Sequence, residues 1–291
     1  MAIEIKDLSL RFRSGVTALN RINLTIDKGI FGLLGENGAG KTTFMRVLAT
    51  IIKPAAGRVL LNGTELKTEN YGSLQRKIGY LPQELGLYPN LTVSEALNYM
   101  GRLSGLGKAE CKRRVDYYLE ATNLTTQYNK KNRQLSGGMK RRVGLIQALL
   151  HDPEILIVDE PTTGLDPEER IRIRNLLVDF SKNRTVIFST HVVEDLEATC
   201  NKLAILKKGK LVYAGDRAEL IKRTKDHVWV CRLEKEEEIE LLQRKYIVSS
   251  KKYMENGIEA RIIHEEKPGL PCMAGEAGLE DAYVYMMNYT F

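Results

Sequence analysis

The sequence has no apolar run long enough to cross a bilayer, and its opening, MAIEIKDLSL, lacks the form of a secretion signal. A membrane-spanning or secreted chain is not expected. Cysteine is scarce. The four present, Cys111, Cys200, Cys231 and Cys272, are scattered, with the spacing of neither metal ligands nor a disulfide framework. They suit a reducing compartment, so a cytosolic protein without disulfides is the expectation. Aromatic residues make up only 7% of the chain. A net charge of +7 favours anionic surfaces, but the basic residues are spread out, and the short cluster Lys140-Arg141-Arg142 alternates with apolar positions. No nucleic-acid partner is expected. What remains is ordinary: 291 residues, 43% hydrophobic and 28% charged, enough for a large domain and a small one.

Against that background one segment carries strong information. Gly35 to Thr42 reads GENGAGKT and fits the G-x-x-x-x-G-K-[ST] phosphate loop. In such a loop the backbone N–H groups of Gly35, Asn37, Gly38, Ala39 and Gly40 wrap nucleotide phosphates. Lys41 sits against the β- and γ-phosphates, and the hydroxyl of Thr42, followed by Thr43, is offered to Mg²⁺. The context agrees. Ile30, Phe31, Leu33 and Leu34 read as a buried strand entering the loop, and Thr42 to Ala49 has helical spacing. A phosphate there meets the positive end of a helix and its free N–H groups.

The rest of the chain reads as mixed α/β. Ile3–Leu8 and Leu19–Ile26 alternate as strands around a turn at Ser14-Gly15, and short strands are expected at Arg58–Leu61 and Ile78–Leu81. Thr92 to about Leu124 turns helical, with a break at Ser104–Gly107, and looks like a helical insertion. Helices are expected at Gly138–Leu150, Glu168–Phe180 and Val192–Thr199, strands at Ile155–Val158 and Thr185–Ser189, and a hairpin across Gly209. Asp216 is expected to cap a last short helix near Ala218–Ile221. Strands alternating with helices argue for a parallel-sheet core. After Lys225 the character changes. Strands are expected at His227–Leu233 and Ile258–Ile263, a helix at Gly278–Tyr289, and the acidic run Glu234–Glu240 reads as a solvated helix face.

A second chemical element is the apolar strand Ile155-Leu156-Ile157-Val158 followed by Asp159-Glu160. Two carboxylates at a strand's carboxyl end lie in the crevice where α/β sheets bind ligands. In a phosphate-loop protein Asp159 would belong to the Mg²⁺ shell and Glu160 would polarise the attacking water. A third is Leu135-Ser136-Gly137-Gly138-Met139 at a helix start, where Ser136 and the N–H groups of Gly137 and Gly138 make an anion-binding terminus.

With these three in order, residues 1 to 225 resemble the ATP-binding subunit of ABC transporters. Met139 stands where that family usually has Gln, which leaves the Ser and Gly donors intact. The resemblance implies an α/β fold: a P-loop NTPase core with a parallel sheet, an N-terminal antiparallel β subdomain and a helical subdomain at about 90–150. Residues 226–291 would form a small C-terminal α/β accessory domain. It further implies that Phe12 stacks on adenine, although an edge-strand core role is its alternative. Gln83 would contact Mg²⁺ and water, beside Thr42 and Asp159 as metal ligands. Gly164-Leu165-Asp166 would cross a dimer interface, placing Asp166 and the Ser136–Gly138 segment against a nucleotide held by the other subunit. His191 would contact the γ-phosphate and orient Glu160. The catalytic set is then Glu160, His191 and Lys41, with ATP and Mg²⁺ bound.

Partners implied are an integral membrane permease and a second ATP-binding domain, in a homodimer or heterodimer, at the cytoplasmic face of the membrane. Lys210–Gly215 and Gly278-Leu279-Glu280-Asp281-Ala282-Tyr283 resemble segments of export-type subunits for drugs, peptide antibiotics, lipids or polysaccharides. The alternatives are a soluble ATPase of the same superfamily acting in translation or DNA repair, and a module that binds ATP without turnover.

Overall fold

The computed structural model describes residues 3–255, 257–269 and 271–289. They form two compact units, Met1–Cys200 with Leu206–Leu211, and Asn201–Ile205 with Val212–Phe291.

In the first unit β1 (Ile3–Arg11) and β2 (Thr17–Ile26) pair antiparallel, Ile3 opposite Ile26. Gly15, at φ 89°, makes the turn between them. β3 (Gly29–Leu34) leads into the phosphate loop and α1 (Lys41–Leu48). β4 (Ala56–Leu61) returns to β1, with Ile3 opposite Leu61, and β5 (Thr64–Glu65) folds back on it across Asn62-Gly63. Both turn residues have positive φ, 50° and 77°, the turn that matches strand twist. This antiparallel sheet runs β2-β1-β4-β5. After α2 (Tyr71–Gln75) comes β6 (Ile78–Leu81).

The helical insertion follows as α3 (Val93–Leu103), α4 (Lys108–Ala121) and α5 (Gly137–Leu149). Thr92 starts α3 with a reciprocal cap: its hydroxyl accepts the Glu95 N–H, and the Glu95 carboxylate accepts the Thr92 N–H. Val93 and Leu97 on α3 and Cys111, Val115 and Leu119 on α4 recur at helical spacing. They close a core with Val143, Ile146 and Leu150.

β7 (Ile155–Asp159), α6 (Pro167–Ser181), β8 (Thr185–Thr190) and α7 (Val193–Glu197) complete the pattern. β3 pairs parallel with β8, β8 with β7, and β7 with β6. Every residue of β7 and β8 is buried, as a parallel sheet covered on both faces requires. Register puts Leu34, Asp159 and Thr190 at one edge, so the chain segments that follow all leave from the carboxyl ends of the strands. β9 (Lys202–Lys207) and β10 (Lys210–Asp216) carry the chain from the first unit into the second.

In the second unit α8 (Arg217–Thr224) begins after Asp216. That residue holds the cap position without a side-chain cap bond, and its carbonyl accepts the Tyr213 hydroxyl instead. β11 (Val228–Leu233), α9 (Glu236–Gln243), β12 (Ile247–Met254), β13 (Gly257–Ile263), β14 (Cys272–Ala274) and α10 (Leu279–Tyr289) follow. The antiparallel sheet runs β12-β13-β11-β14. The acidic run is indeed helical, and its apolar side, Ile239 and Leu242, packs on Ile258, Ala260 and Ile262. Asp281 of α10 accepts from two guanidinium nitrogens of Arg261, Nε at 2.8 Å and Nη2 at 2.7 Å.

One expectation is overturned. Cys231 and Cys272 are disulfide-bonded, with sulfurs 1.91 Å apart. They lie 41 residues apart in the chain and meet because β11 and β14 pair with these two residues opposite each other. Cys111 and Cys200 are free and buried.

Candidate functional site

The loop after β3 is shaped by backbone demands. The Ala39 N–H returns to the Glu36 carbonyl at 3.1 Å. Gly40 then takes φ 107°, where a Cβ would lie 2.5 Å from the Ala18 carbonyl oxygen, so only glycine fits. α1 starts immediately after it, and the N–H groups of its first turn have no carbonyl within the helix to bind. Lys41, at 4% exposure, curls back to donate to the carbonyls of Gly35 at 2.6 Å and Glu36 at 3.1 Å. A cationic donor is thereby held inside the loop that leads into α1.

Glu160 follows β7 with φ 46°, a left-handed conformation that a side-chain-bearing residue rarely adopts. Its carboxylate is 5% exposed as a residue yet fully occupied. Oε1 lies 3.5 Å from Lys41 Nζ and 3.3 Å from His191 Nδ1. Oε2 accepts Gln83 Nε2 at 3.2 Å and Thr163 Oγ1 at 3.1 Å. Burial alone pushes this carboxyl's pKa up. The Lys41 charge and the Thr163 and His191 contacts outweigh it, and the group is held below its ordinary value, ionised at neutral pH.

Asp159 is completely buried. Its Oδ1 accepts the Ser189 hydroxyl at 2.6 Å, and that hydroxyl oxygen in turn accepts the Glu160 N–H at 3.0 Å. Its Oδ2 has no partner. Among buried carboxylate oxygens that is costly, and it marks a place where a cation or donor belongs.

Lys41, Glu160, Gln83 and His191 open onto a cavity of about 800 Å³, which the wholly buried Asp159 does not line. Phe12 stands at its rim, 43% exposed, which fits a ring-stacking surface better than a core residue. Asn37, Gly38, Gly40, Lys41, Thr42, Thr43, Gln83, Glu160 and His191 line it as well. Gly35 and Ala39 sit on the inner side of the loop, Ala39 buried. Thr163 and Lys208 also line the cavity, and the sequence reading missed both. Thr163 was within reach as a hydroxyl three residues beyond Glu160. Lys208 arrives from the β9–β10 turn, and nothing local in sequence announces it.

Ser136, Gly137, Gly138 and Asp166 do not line this cavity. The Ser136 hydroxyl caps α5 through the Met139 N–H at 3.2 Å, and Ser136 and Gly137 are exposed. Asp166 is exposed and caps α6 through the Glu169 N–H at 2.9 Å. The two segments converge on Glu169. Its carboxylate pairs with Arg142 at 3.0 Å, and a Cβ on Gly138 would lie 2.9 Å from it. Two helix starts are thus fixed together, facing outward.

Comparison with known proteins gives a consistent picture. Residues 19–163 match the family model described as ABC transporter. The uncharacterized ABC transporter ATP-binding protein YxlF of Bacillus subtilis is 39% identical over 215 residues, 74% of this chain and 71% of its own length. The Nod factor export ATP-binding protein I of Cupriavidus pinatubonensis is 39% identical over 208 residues, 70% of this chain and 63% of its own. Among solved structures, the ATP-binding cassette MJ0796, a dimer in a post-hydrolysis state bound to ADP and Pi, aligns with a TM-score of 0.68. That alignment has 26% identity and covers 74% of this chain and 98% of that one.

Proposed function

The chain belongs to the ABC transporter ATP-binding proteins, which are ATPases, and on that premise we propose that it powers export through a separate membrane permease. The observation that carries the catalytic part is Glu160, ionised and held between Lys41 and His191 at the mouth of the phosphate loop. A water against this carboxylate faces a nucleotide γ-phosphate seated on Lys41 and the start of α1. Glu160 accepts the water's proton as the new P–O bond forms and ADP leaves, while His191 and Gln83 hold the carboxylate in place. Positioning and charge neutralisation carry most of the rate in such transfers.

The donor set fits Mg²⁺, which prefers oxygen ligands. Asp159 has a buried, unpartnered Oδ2, and Thr42 and Gln83 line the adjoining cavity. These three residues would hold the ion, which supplies charge neutralisation at the phosphates. Ser136, Gly137 and Asp166, outside the cavity and exposed, with Gly138 buried just behind them, suit a nucleotide held by a second ATP-binding domain. The dimeric relative MJ0796 supports that arrangement. Export is supported by the relative named for Nod factor export, and a station at the cytoplasmic face follows from the permease. Within this scheme residues 1–225 are the ATP-binding domain and 226–291 an accessory domain.

The test is recovery of the tagged chain from gently solubilised membranes, with ATPase activity of the wild type and Glu160→Gln compared. A polytopic membrane protein should come with it, and Glu160→Gln should bind ATP yet turn over at least roughly 10²-fold more slowly. Wild-type hydrolysis by Glu160→Gln would remove the catalytic assignment. Recovery with ribosomes or nucleic acid alone would remove the transport one.

A further inference from the structure

Arg141 lies on α5, five residues after Ser136, and is 6% exposed. All its hydrogen bonds run to main-chain carbonyls of two other segments. Nη1 donates to Pro82 at 2.9 Å and to Gln83 at 2.7 Å. Nη2 donates to Glu160 at 2.6 Å and also to Asp159, and Nε donates to Pro161 at 3.2 Å. A guanidinium is suited to this because its donors form a rigid planar fork that spans several acceptors at once. Burying the charge is costly, and these five carbonyls, with the nearby carboxylates of Asp159 and Glu160, offset that cost.

What the fork holds is the strained part of the site. Glu160 sits at φ 46°, a conformation that persists only when its surroundings impose it. The carbonyls on both sides of that residue's Cα, those of Asp159 and Glu160, converge on one nitrogen of Arg141. The same side chain holds the backbone of Gln83, whose amide reaches Glu160 Oε2. We propose that Arg141 is a positioning residue for hydrolysis: it fixes the turn at Glu160 and the Gln83 segment together, so that the Glu160 carboxylate is aimed at the attacking water. It touches neither substrate nor the reacting atoms. The inference rests on Glu160 being the carboxylate that activates water.

The experiment uses the full chain and compares wild type with Arg141→Lys, Arg141→Gln and Glu160→Gln. Nucleotide-binding stoichiometry and affinity are measured with a fluorescent ATP analogue, and turnover is expressed per nucleotide-binding chain, so that misfolded material drops out. Lysine keeps the charge and helix preference but cannot span five carbonyls. Turnover in Arg141→Lys is expected to fall roughly 10²-fold, the scale of an ångström-level misplacement. KM for ATP should stay within about threefold, the mark of a lost transition-state interaction. Arg141→Gln should lose at least as much.

Wild-type turnover per binding chain in either Arg141 variant, with Glu160→Gln inactive, would overturn the positioning role alone. Parallel loss of nucleotide binding and turnover in both variants would overturn it too, since that pattern is structural. Full activity in Glu160→Gln would instead overturn the reading of Glu160, and the inference with it.

Discussion

The two units treat charge differently. Among the described residues the first buries Lys41, Arg141, Arg142, Asp159, Glu160 and Asp195, whereas the second buries one charged side chain, Asp281, held by two of the Arg261 nitrogens. Buried charge is expensive and seldom the best way to stabilise a fold. In the first unit most of these charges surround the carboxyl ends of β6, β7 and β8, where phosphoryl transfer needs them. The second unit, with no such constellation, is held by apolar packing, one bidentate pair and a disulfide. The lesson is that burial of charge in this molecule follows chemistry, and where chemistry is absent the chain uses cheaper means.

The largest effect should come from removing Lys41, the charge proposed to meet phosphate. Lys41→Ala is expected to weaken ATP binding by about 2–5 kcal/mol, measured by titration calorimetry. Unchanged affinity would mean that the phosphates sit elsewhere. Next comes Arg142, which donates to the Thr122 carbonyl and pairs with Glu169. Arg142→Met removes both contacts and leaves the part-buried Glu169 carboxylate with only its longer contact to Arg172, at 3.5 Å, so denaturant unfolding should show a loss of about 3 kcal/mol in the first unit. If it costs under about 1 kcal/mol, as an exposed pair would, this ion pair is not the link between α5 and α6 described above.

Reduction, or Cys231→Ser, should destabilise the second unit by about 2–4 kcal/mol and leave ATPase activity intact. A melting profile insensitive to dithiothreitol would erase that part of the contrast between the units.

The smallest effect concerns His151, whose ring nitrogen contacts the Ile78 carbonyl. Burial pushes its pKa below the ordinary value, so the folded chain keeps it neutral while the unfolded chain takes up a proton near pH 6.5. The unfolded state therefore binds more protons in the window below about 6.5, and stability is lost as pH falls through it. His151→Gln should flatten that slope. An unchanged slope would assign it to other groups.

Much of the first unit could be read from residue order alone. The phosphate loop, the apolar strand before Asp159 and the capped helices are local patterns, and local patterns survive in sequence. The helix and strand positions of the insertion and core sheet came through within a residue or two. What did not come through depends on register and on loops meeting in space. The four donors on Glu160 come from four separate segments. Lys208 is delivered by a turn, and the five carbonyls under Arg141 look like nothing in a sequence. In the second unit β12 (IVSSKKYM) was missed because its exposed half is polar and the apolar alternation is weak. The disulfide was missed because two cysteines 41 residues apart reveal nothing until β11 and β14 are aligned.

That same strand β12 sets how the chain behaves in a crowded solution. It lies at the edge of its sheet, with Lys251 and Lys252 exposed, and it covers β13, whose Ile258, Ala260, Ile262 and Ile263 are all buried. Lysines on an edge strand discourage a second chain from adding to the sheet, because pairing would bring like charges together. A proteolytic clip or truncation that removes β12 would bare the edge of β13, where Ile258, Ala260 and Ile262 alternate with Glu259 and Arg261, to strand-to-strand association. For expression and handling, loss of this strand is expected to favour aggregation.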